Sequence, residues 1–409
     1  MKKETMDKRI WVIFLIIFVN LLGFGIIMPL LPYYVESFGA GPIMIGLITA
    51  AYSLFQILSA PVLGELSDKF GRRPVLLISI FGTTISFLLL GVAHSLPLLF
   101  LSRILDGITG GNISTAQAYI ADITTKENRT QGMGMMMAAF SLGMVLGPAL
   151  GGFLSVYGYA VPAFVAAAVA MIATVCTYFF LPESRHLATL SQKILKKKRV
   201  FNIRDFWNAL IHPEIGLLLS ISFMTMFAFA LMQGTFALYA KHTFHLGAQT
   251  NGLIFAYLGL VGIIFQIFLL KKILQLMPEH QLINLSTLLM AVSLGLIVMS
   301  SNLVILLIAI TLLALTSSIS RTVIIGYLSK RVPDDEQGNI AGMNQSVNSV
   351  ARLFGPLLGT IFYSQLGTKS PYIVATAILF LTAVYGFNKL RPVSEVIKSG
   401  RSNPKNLLL

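Results

Sequence analysis

Twelve long apolar runs punctuate this chain of 409 residues, and they leave few folds open to it. They lie near residues 10–32, 43–63, 75–93, 97–120, 133–155, 161–181, 214–240, 250–270, 281–299, 303–328, 339–363 and 371–388. A helix needs roughly 20 apolar residues to cross the hydrocarbon core of a bilayer, and each run comes close to that or exceeds it. Only 11% of the residues are charged. A soluble domain carries about 25%, so this chain cannot clothe a water-facing surface and lipid is its expected solvent. We therefore expect an all-α polytopic membrane protein with twelve transmembrane helices. The basic start at Lys2 and Lys3 precedes an apolar run without a small-residue cleavage site, so a first spanning helix is expected there, not a removed signal peptide.

The net charge of +14 would suggest nucleic acid in a soluble protein. Its distribution points elsewhere. With the N-terminus assigned to the cytoplasm, 25 of the 30 Lys and Arg fall on cytoplasmic segments. The external loops hold only Lys241 and Lys369, and Arg103, Arg321 and Arg352 fall inside apolar runs. This split fits the positive-inside rule and places both termini in the cytoplasm. The basic run Lys196–Arg199 is expected to fix topology and touch anionic lipid, and nucleic acid is not expected as a partner.

The expected organisation is a six-helix bundle over 1–181, a cytoplasmic linker over 182–213, a second bundle over 214–388 and a cytoplasmic tail over 389–409. The halves repeat at an offset of 208: Gly147, Pro148 and Gly151 fall on Gly355, Pro356 and Gly359. Tyr119 likewise falls on Tyr327, Gly134 on Gly342 and Glu127 on Asp335. Repeats related by an axis along the membrane normal place a substrate site between them, near the midplane.

The loop between segments 2 and 3 reads Gly64-x-x-x-Asp68-x-x-Gly71-Arg72-Arg73. This resembles the signature of the major facilitator superfamily. In that family the loop is a conformational latch, so the resemblance implies a latch of Gly64, Asp68, Gly71, Arg72 and Arg73. Segment 5 carries Gly143-x-x-x-Gly147-Pro148-x-x-Gly151-Gly152, which resembles the helix-5 element of drug:proton antiporters. Its glycines would let helices approach closely. Segment 1 ends Leu22-Gly23 through Pro29 and Pro32, similar to the same twelve-helix branch. The stretch from Ser114 through Asp122 to Arg129 resembles tetracycline exporters, and Asp122 and Arg129 are expected to hold segments 4 and 5 together. The resemblance covers segments 1 to 6. The loop between segments 8 and 9 lacks the Asp…Gly-Arg pattern, which leaves a latch in that half unsupported. What the resemblance implies is the major facilitator fold, two pseudo-symmetric six-helix bundles, with proton-coupled efflux of drugs.

Segment 4 carries Arg103 and, three residues on, Asp106. The spacing puts both on one helix face. Charges in lipid are costly and normally functional. The resemblance implicates the arginine in proton coupling. Two readings of Asp106 stand open: it takes and releases a proton, or it neutralises Arg103. Substrate contacts are sought among polar residues within segments, namely Asn20, Gln56, Asn112, Gln117, Gln233, Arg321, Asn344, Gln345, Asn348 and Arg352. The aromatics Tyr52, Phe229, Phe236 and Tyr257 are further candidates. Arg321 and Arg352 would attract an anionic or strongly polar group.

The sequence holds no P-loop, so ATP is not the evident energy source. No catalytic residues, metal or cofactor are expected, and an intramembrane enzyme is the least favoured class. The leading expectation is proton-coupled efflux of small amphiphilic compounds, tetracycline- or multidrug-like. The alternative is an exporter of an endogenous metabolite, sugar or glycolipid with an anionic group. The expected partners are a small-molecule substrate, protons and membrane lipid, for a monomer in a bacterial inner membrane.

Overall fold

The computed structural model describes residues 8–125, 128–184, 211–212, 215–333 and 336–390. The run Lys196–Arg199, most of the linker, the tail beyond Leu390 and the Glu127/Asp335 match lie outside the described residues. Those described form helices and connections, with no strand among them.

The first half holds α1 (Lys8–Ile27), α2 (Leu31–Ser37), α3 (Pro42–Phe70), α4 (Arg72–Gly91), α5 (Leu96–Thr109), α6 (Ile113–Ile123), α7 (Arg129–Leu154) and α8 (Ala160–Phe180). The second holds α9 (Ile215–Phe244), α10 (Ala248–Phe268), α11 (Leu270–Leu276), α12 (Glu279–Met299), α13 (Leu303–Ser329), α14 (Gln337–Leu366) and α15 (Ser370–Lys389). Ten of these are long and apolar enough to cross a membrane. The other two of the twelve crossings account for themselves. Segment 4 is broken into α5 and α6 by a 3₁₀ turn at Gly110–Asn112. Segment 11 is the unbroken 30-residue α14, which carries Asn339, Asn344, Gln345, Asn348 and Arg352 and so falls short in hydropathy. Both exceptions lie where the candidate polar residues are densest.

Two expected single helices are divided. Segment 1 stops at Ile27 and resumes at Leu31, because Pro29 and Pro32 supply no N–H to continue the ladder. Segment 4 breaks at the Gly110–Gly111 pair, where two residues of poor helix propensity adjoin.

The chain forms two compact units. Unit 1 takes in Met1–Lys197 and Ala240–Gly259, and unit 2 takes in Lys198–Tyr239 and Leu260–Leu409. In unit 1, Ile13, Ile16 and Ile17 of α1 pack with Leu76, Tyr119, Ile120, Met136 and Ala139. In unit 2, Leu218 and Leu219 of α9 pack with Ile283, Ile324, Tyr327 and Met343. The repeat partners Tyr119 and Tyr327 thus occupy corresponding cores, each almost fully buried. Lipid tails are as apolar as leucine, so close packing and interhelical hydrogen bonds, not escape from water, hold such helices together.

Candidate functional site

The break in segment 4 gathers unit 1's polar residues. Carbonyls around it are taken by side chains of neighbouring helices: Ser59 donates to Gly107 O at 3.1 Å, Ser79 to Thr109 O at 2.6 Å and Gln56 to Gly110 O at 3.3 Å. Irregular backbone is tolerated at membrane depth only when re-satisfied in this way. Asn112, fully buried at the turn, accepts from Asn20 Nδ2 at 3.0 Å. Gln56 also donates to Tyr52 Oη at 2.9 Å, and the Tyr52 ring lies 5.6 Å from Phe24. Asn20, Gln56 and Asn112 are thereby brought into one cluster. Gln117 stands apart, exposed on α6.

Just before the break, Arg103 Nη1 donates to Asp106 Oδ2 at 3.0 Å, and both side chains are buried. Ser86 of α4 donates to the other carboxylate oxygen at 3.3 Å. The guanidinium carbon lies 5.7 Å from the centre of the Phe87 ring, while Nε and Nη2 have no hydrogen-bond partner. The pair is neutral while Asp106 is ionised. A proton on Asp106 would leave a net positive charge in this buried place, so its occupancy is tied to how the surrounding helices solvate Arg103. Ser86 was not singled out in the sequence, since a lone serine in an apolar run carries no signal of its own.

The Gly64–Arg73 stretch joins α3 to α4 at one end of unit 1. Arg72 pairs with Asp68 at 2.8 Å, bonds Ser67, and reaches Asp122 at 3.3 Å. Asp122 also accepts from Ser184 at 3.2 Å. Asp122 thereby ties segment 4 to segments 3 and 6, and Arg129 of segment 5 reaches back to Ala121 O of segment 4 at 3.2 Å. Sequence reading missed Glu183. Its carboxylate accepts the N–H groups of Arg72 at 2.8 Å and Arg73 at 3.1 Å, capping α4 from a distant part of the chain. Gly71, at φ 101°, makes the turn that turns these N–H groups toward Glu183. Arg73 donates to Tyr178 O at 2.6 Å. At Gly64 the nearest atom an added Cβ would meet is Ser114 Oγ at 3.9 Å, so packing in this unit does not demand a glycine there.

The second half has its own tie in the same slot. Lys330, which stands 208 residues after Asp122, pairs with Glu279 at the start of α12 at 2.8 Å. In unit 1 the base opens the third helix and the acid ends the fourth; in unit 2 the signs are exchanged. A search for Asp…Gly-Arg could not find it.

The helix-5 motif lies along α1. A Cβ on Gly147 would sit 2.6 Å from Leu22 O, and one on Gly151 would sit 2.5 Å from Ile26 O. Gly143 meets Leu21 and Leu22, and Pro148 lies against Gly25. Gly152 faces another way, onto Gln249 and Gly252. In unit 2, Pro356 lies against Gly234 of α9, and Gly355 and Gly359 meet Ala230 and Leu231. Both halves thus use one seam, a Gly-Pro helix laid against the helix that opens the half.

At the opposite end of unit 1, Glu36 of α2 pairs with Lys241, and His242 Nε2 lies 3.6 Å from the same carboxylate. Tyr33 donates to Leu246 O at 2.9 Å, and Asn251 to Pro29 O at 3.1 Å. Burial raises the Tyr33 phenol above the ordinary tyrosine range, which keeps it a donor.

Unit 2 contributes a polar stretch of α14. Gln345 is exposed, Asn348 accepts from Ser222 at 3.2 Å, and Arg352 donates to Ser349 at 3.1 Å. Asn344 is buried with its Oδ1 unpartnered. Gln233 is half-buried on α9, and Arg321 is exposed on α13. Among the aromatics, Phe229 and Phe236 are buried in packing, whereas Tyr257 is exposed.

A helical membrane protein with a paired half-structure, an ion-paired connection between its second and third crossings and a Gly-Pro seam is of the secondary-transporter class. The family model described as Major Facilitator Superfamily matches residues 13–283 and 218–409. The chain belongs to the Major Facilitator Superfamily. It is 29% identical over 384 residues to Multidrug resistance protein 2 of Bacillus subtilis (strain 168), covering 93% of this chain and 95% of that one. It is 31% identical over 362 residues to the class E tetracycline resistance protein of Escherichia coli, covering 88% and 89%. Among solved structures it resembles the human organic anion transporter MFSD10 (TETRAN), with a TM-score of 0.69, 25% identity, and coverage of 94% of this chain and 100% of that one.

Proposed function

We propose that the chain is a proton-coupled exporter of small amphiphilic compounds in a bacterial inner membrane, working as a monomer with both termini in the cytoplasm. The observation that carries the reading is the sealed Arg103–Asp106–Ser86 group. It is a titratable carboxylate at membrane depth, beside a helix break lined by Asn20, Gln56 and Asn112. Asp106 takes a proton from the outer side and gives it up inside as the chain alternates access, and the latch and the Gly-Pro seams set the alternation. Relatives named for multidrug and tetracycline resistance support drug-like cargo. The distribution of Lys and Arg supports the orientation. A second reading, export of an endogenous compound with an anionic group, is favoured by Arg321 and Arg352 and by the likeness to MFSD10.

The test is collapse of a pH gradient in energised everted vesicles on adding a drug panel, with Asp106→Asn beside the wild type. Collapse with wild type alone supports antiport through Asp106. Collapse with both keeps antiport and removes Asp106 from it. No collapse by any compound, with protein present, defeats the drug-efflux reading.

A further inference from the structure

We propose that Arg321 docks an anionic group on the exported compound, so that the cargo is an amphiphilic anion bearing a carboxylate, sulfonate or phosphate. The inference rests on the export reading above. Arg321 lies inside α13, eight residues before the end of a 27-residue span, and its side chain is exposed. No described residue gives it a hydrogen bond or an ion pair. An arginine at membrane depth without a counter-charge is costly and is kept only where it faces water, a partner or a ligand.

The exposed face of α13 carries Leu303, Val304, Ile308 and Ile325, and Ile325 lies within about 40° of Arg321 around the helix. One turn earlier, Ser318 abuts Gly262 of α10, where an added Cβ would lie 2.8 Å from Ser318 Oγ. Arg321 therefore adjoins the helix-facing side of α13.

Unit 2 offers this cation no acid along its spans. Its described carboxylates, Glu279 and Glu336, stand at the first residue of α12 and immediately before α14. Glu279 is already taken by Lys330. Arg352 is a second basic group within a span of the same unit. Arg103 is the contrast, since the chain supplies it with Asp106 three residues away. Where the chain provides no anion, the ligand does. A guanidinium matches carboxylate and phosphate oxygens with two parallel donors, which an ammonium cannot do.

The experiment compares fluorescein, a carboxylate dye, with rhodamine 6G, a cationic ester on a related skeleton. Binding of each to the purified full chain in detergent is read by fluorescence polarisation for wild type, Arg321→Lys and Arg321→Gln. The expected result for Arg321→Gln is a fluorescein Kd raised about tenfold or more, as loss of a charge-assisted bond implies. Arg321→Lys falls between, and rhodamine 6G binds all three alike, which also shows that the variants are folded. Absence of fluorescein binding to the wild type, an unchanged Kd in Arg321→Gln, or equal losses for both dyes overturns the site. Proton-driven efflux of fluorescein from vesicles is scored separately. Arg321-dependent binding without efflux overturns the export reading and leaves the docking site standing.

Discussion

Arg103 and Arg321 are both guanidinium groups within membrane spans, yet their surroundings are opposite. Arg103 is buried, salt-bridged to Asp106 and packed near the Phe87 ring. Arg321 is exposed and has no acid along its unit's spans. The same division does not extend to the scaffold. Each half lays a Gly-Pro helix on its first helix, and each ties its third and fourth crossings with an ion pair, merely exchanging the signs. The repeat has preserved the mechanics and let the charges diverge. One half holds a buried arginine–aspartate pair; the other holds an arginine with no ion-pair partner among the described residues.

The sharpest way to break that contrast is Asp106→Asn, which leaves Arg103 buried without its counter-ion. Removing one partner of a buried pair costs about 3–5 kcal/mol. We expect a lower unfolding midpoint in detergent and loss of gradient-driven transport. Arg103→Gln added to Asp106→Asn should recover most of the midpoint but none of the coupling. Recovery of both would make the pair structural only.

Next comes the shared seam. Gly147→Ala in unit 1 and Gly355→Ala in unit 2 each push a methyl group into the facing helix. We expect about 1–3 kcal/mol of destabilisation from each, by overpacking. A large effect in one half alone would mean that the seams are not equivalent.

The ties between the third and fourth crossings of each half should matter less. Glu183→Gln weakens the cap on α4, with an expected loss of about 1 kcal/mol and faster proteolysis of the loop at Gly71. The smallest effect is expected at Glu279 and Lys330, where the lysine side chain is 59% exposed. An exposed pair contributes at most about 1 kcal/mol. Reversing both, Glu279→Lys with Lys330→Glu, should leave transport near wild type, whereas either single reversal should slow it. If the double reversal is as slow as the singles, the tie is not a simple charge pair.

Much of this was legible in the chain. Helix number and the internal repeat follow from apolar length and a constant offset, because lipid enforces helices and their lengths. The Arg103–Asp106 pair follows from i,i+3 spacing, which is local geometry. What stayed hidden depends on contacts between distant segments. Glu183 reaches α4 across 111 residues, and nothing near either position announces it. Lys330 and Glu279 were invisible because the familiar signature has the reverse charge order. The break in segment 4 was half visible in Gly110 and Gly111, but the side chains that satisfy it come from α3 and α4. The polar candidates Arg321, Asn344, Gln345, Asn348 and Arg352 lie within α13 and α14. That Arg321 has no partner among the described residues while Asn348 is held by Ser222 could only be seen in three dimensions.

The most direct measurement is proton release on ligand binding, followed by a pH electrode in weakly buffered detergent solution as fluorescein is titrated into wild type, Asp106→Asn and Arg321→Gln. If the halves divide the work as described, wild type releases protons as the dye binds. Asp106→Asn then binds dye without release, and Arg321→Gln gives the same release per bound dye but needs about tenfold more dye. Undiminished release from Asp106→Asn, or release abolished in Arg321→Gln at unchanged dye affinity, would contradict that division.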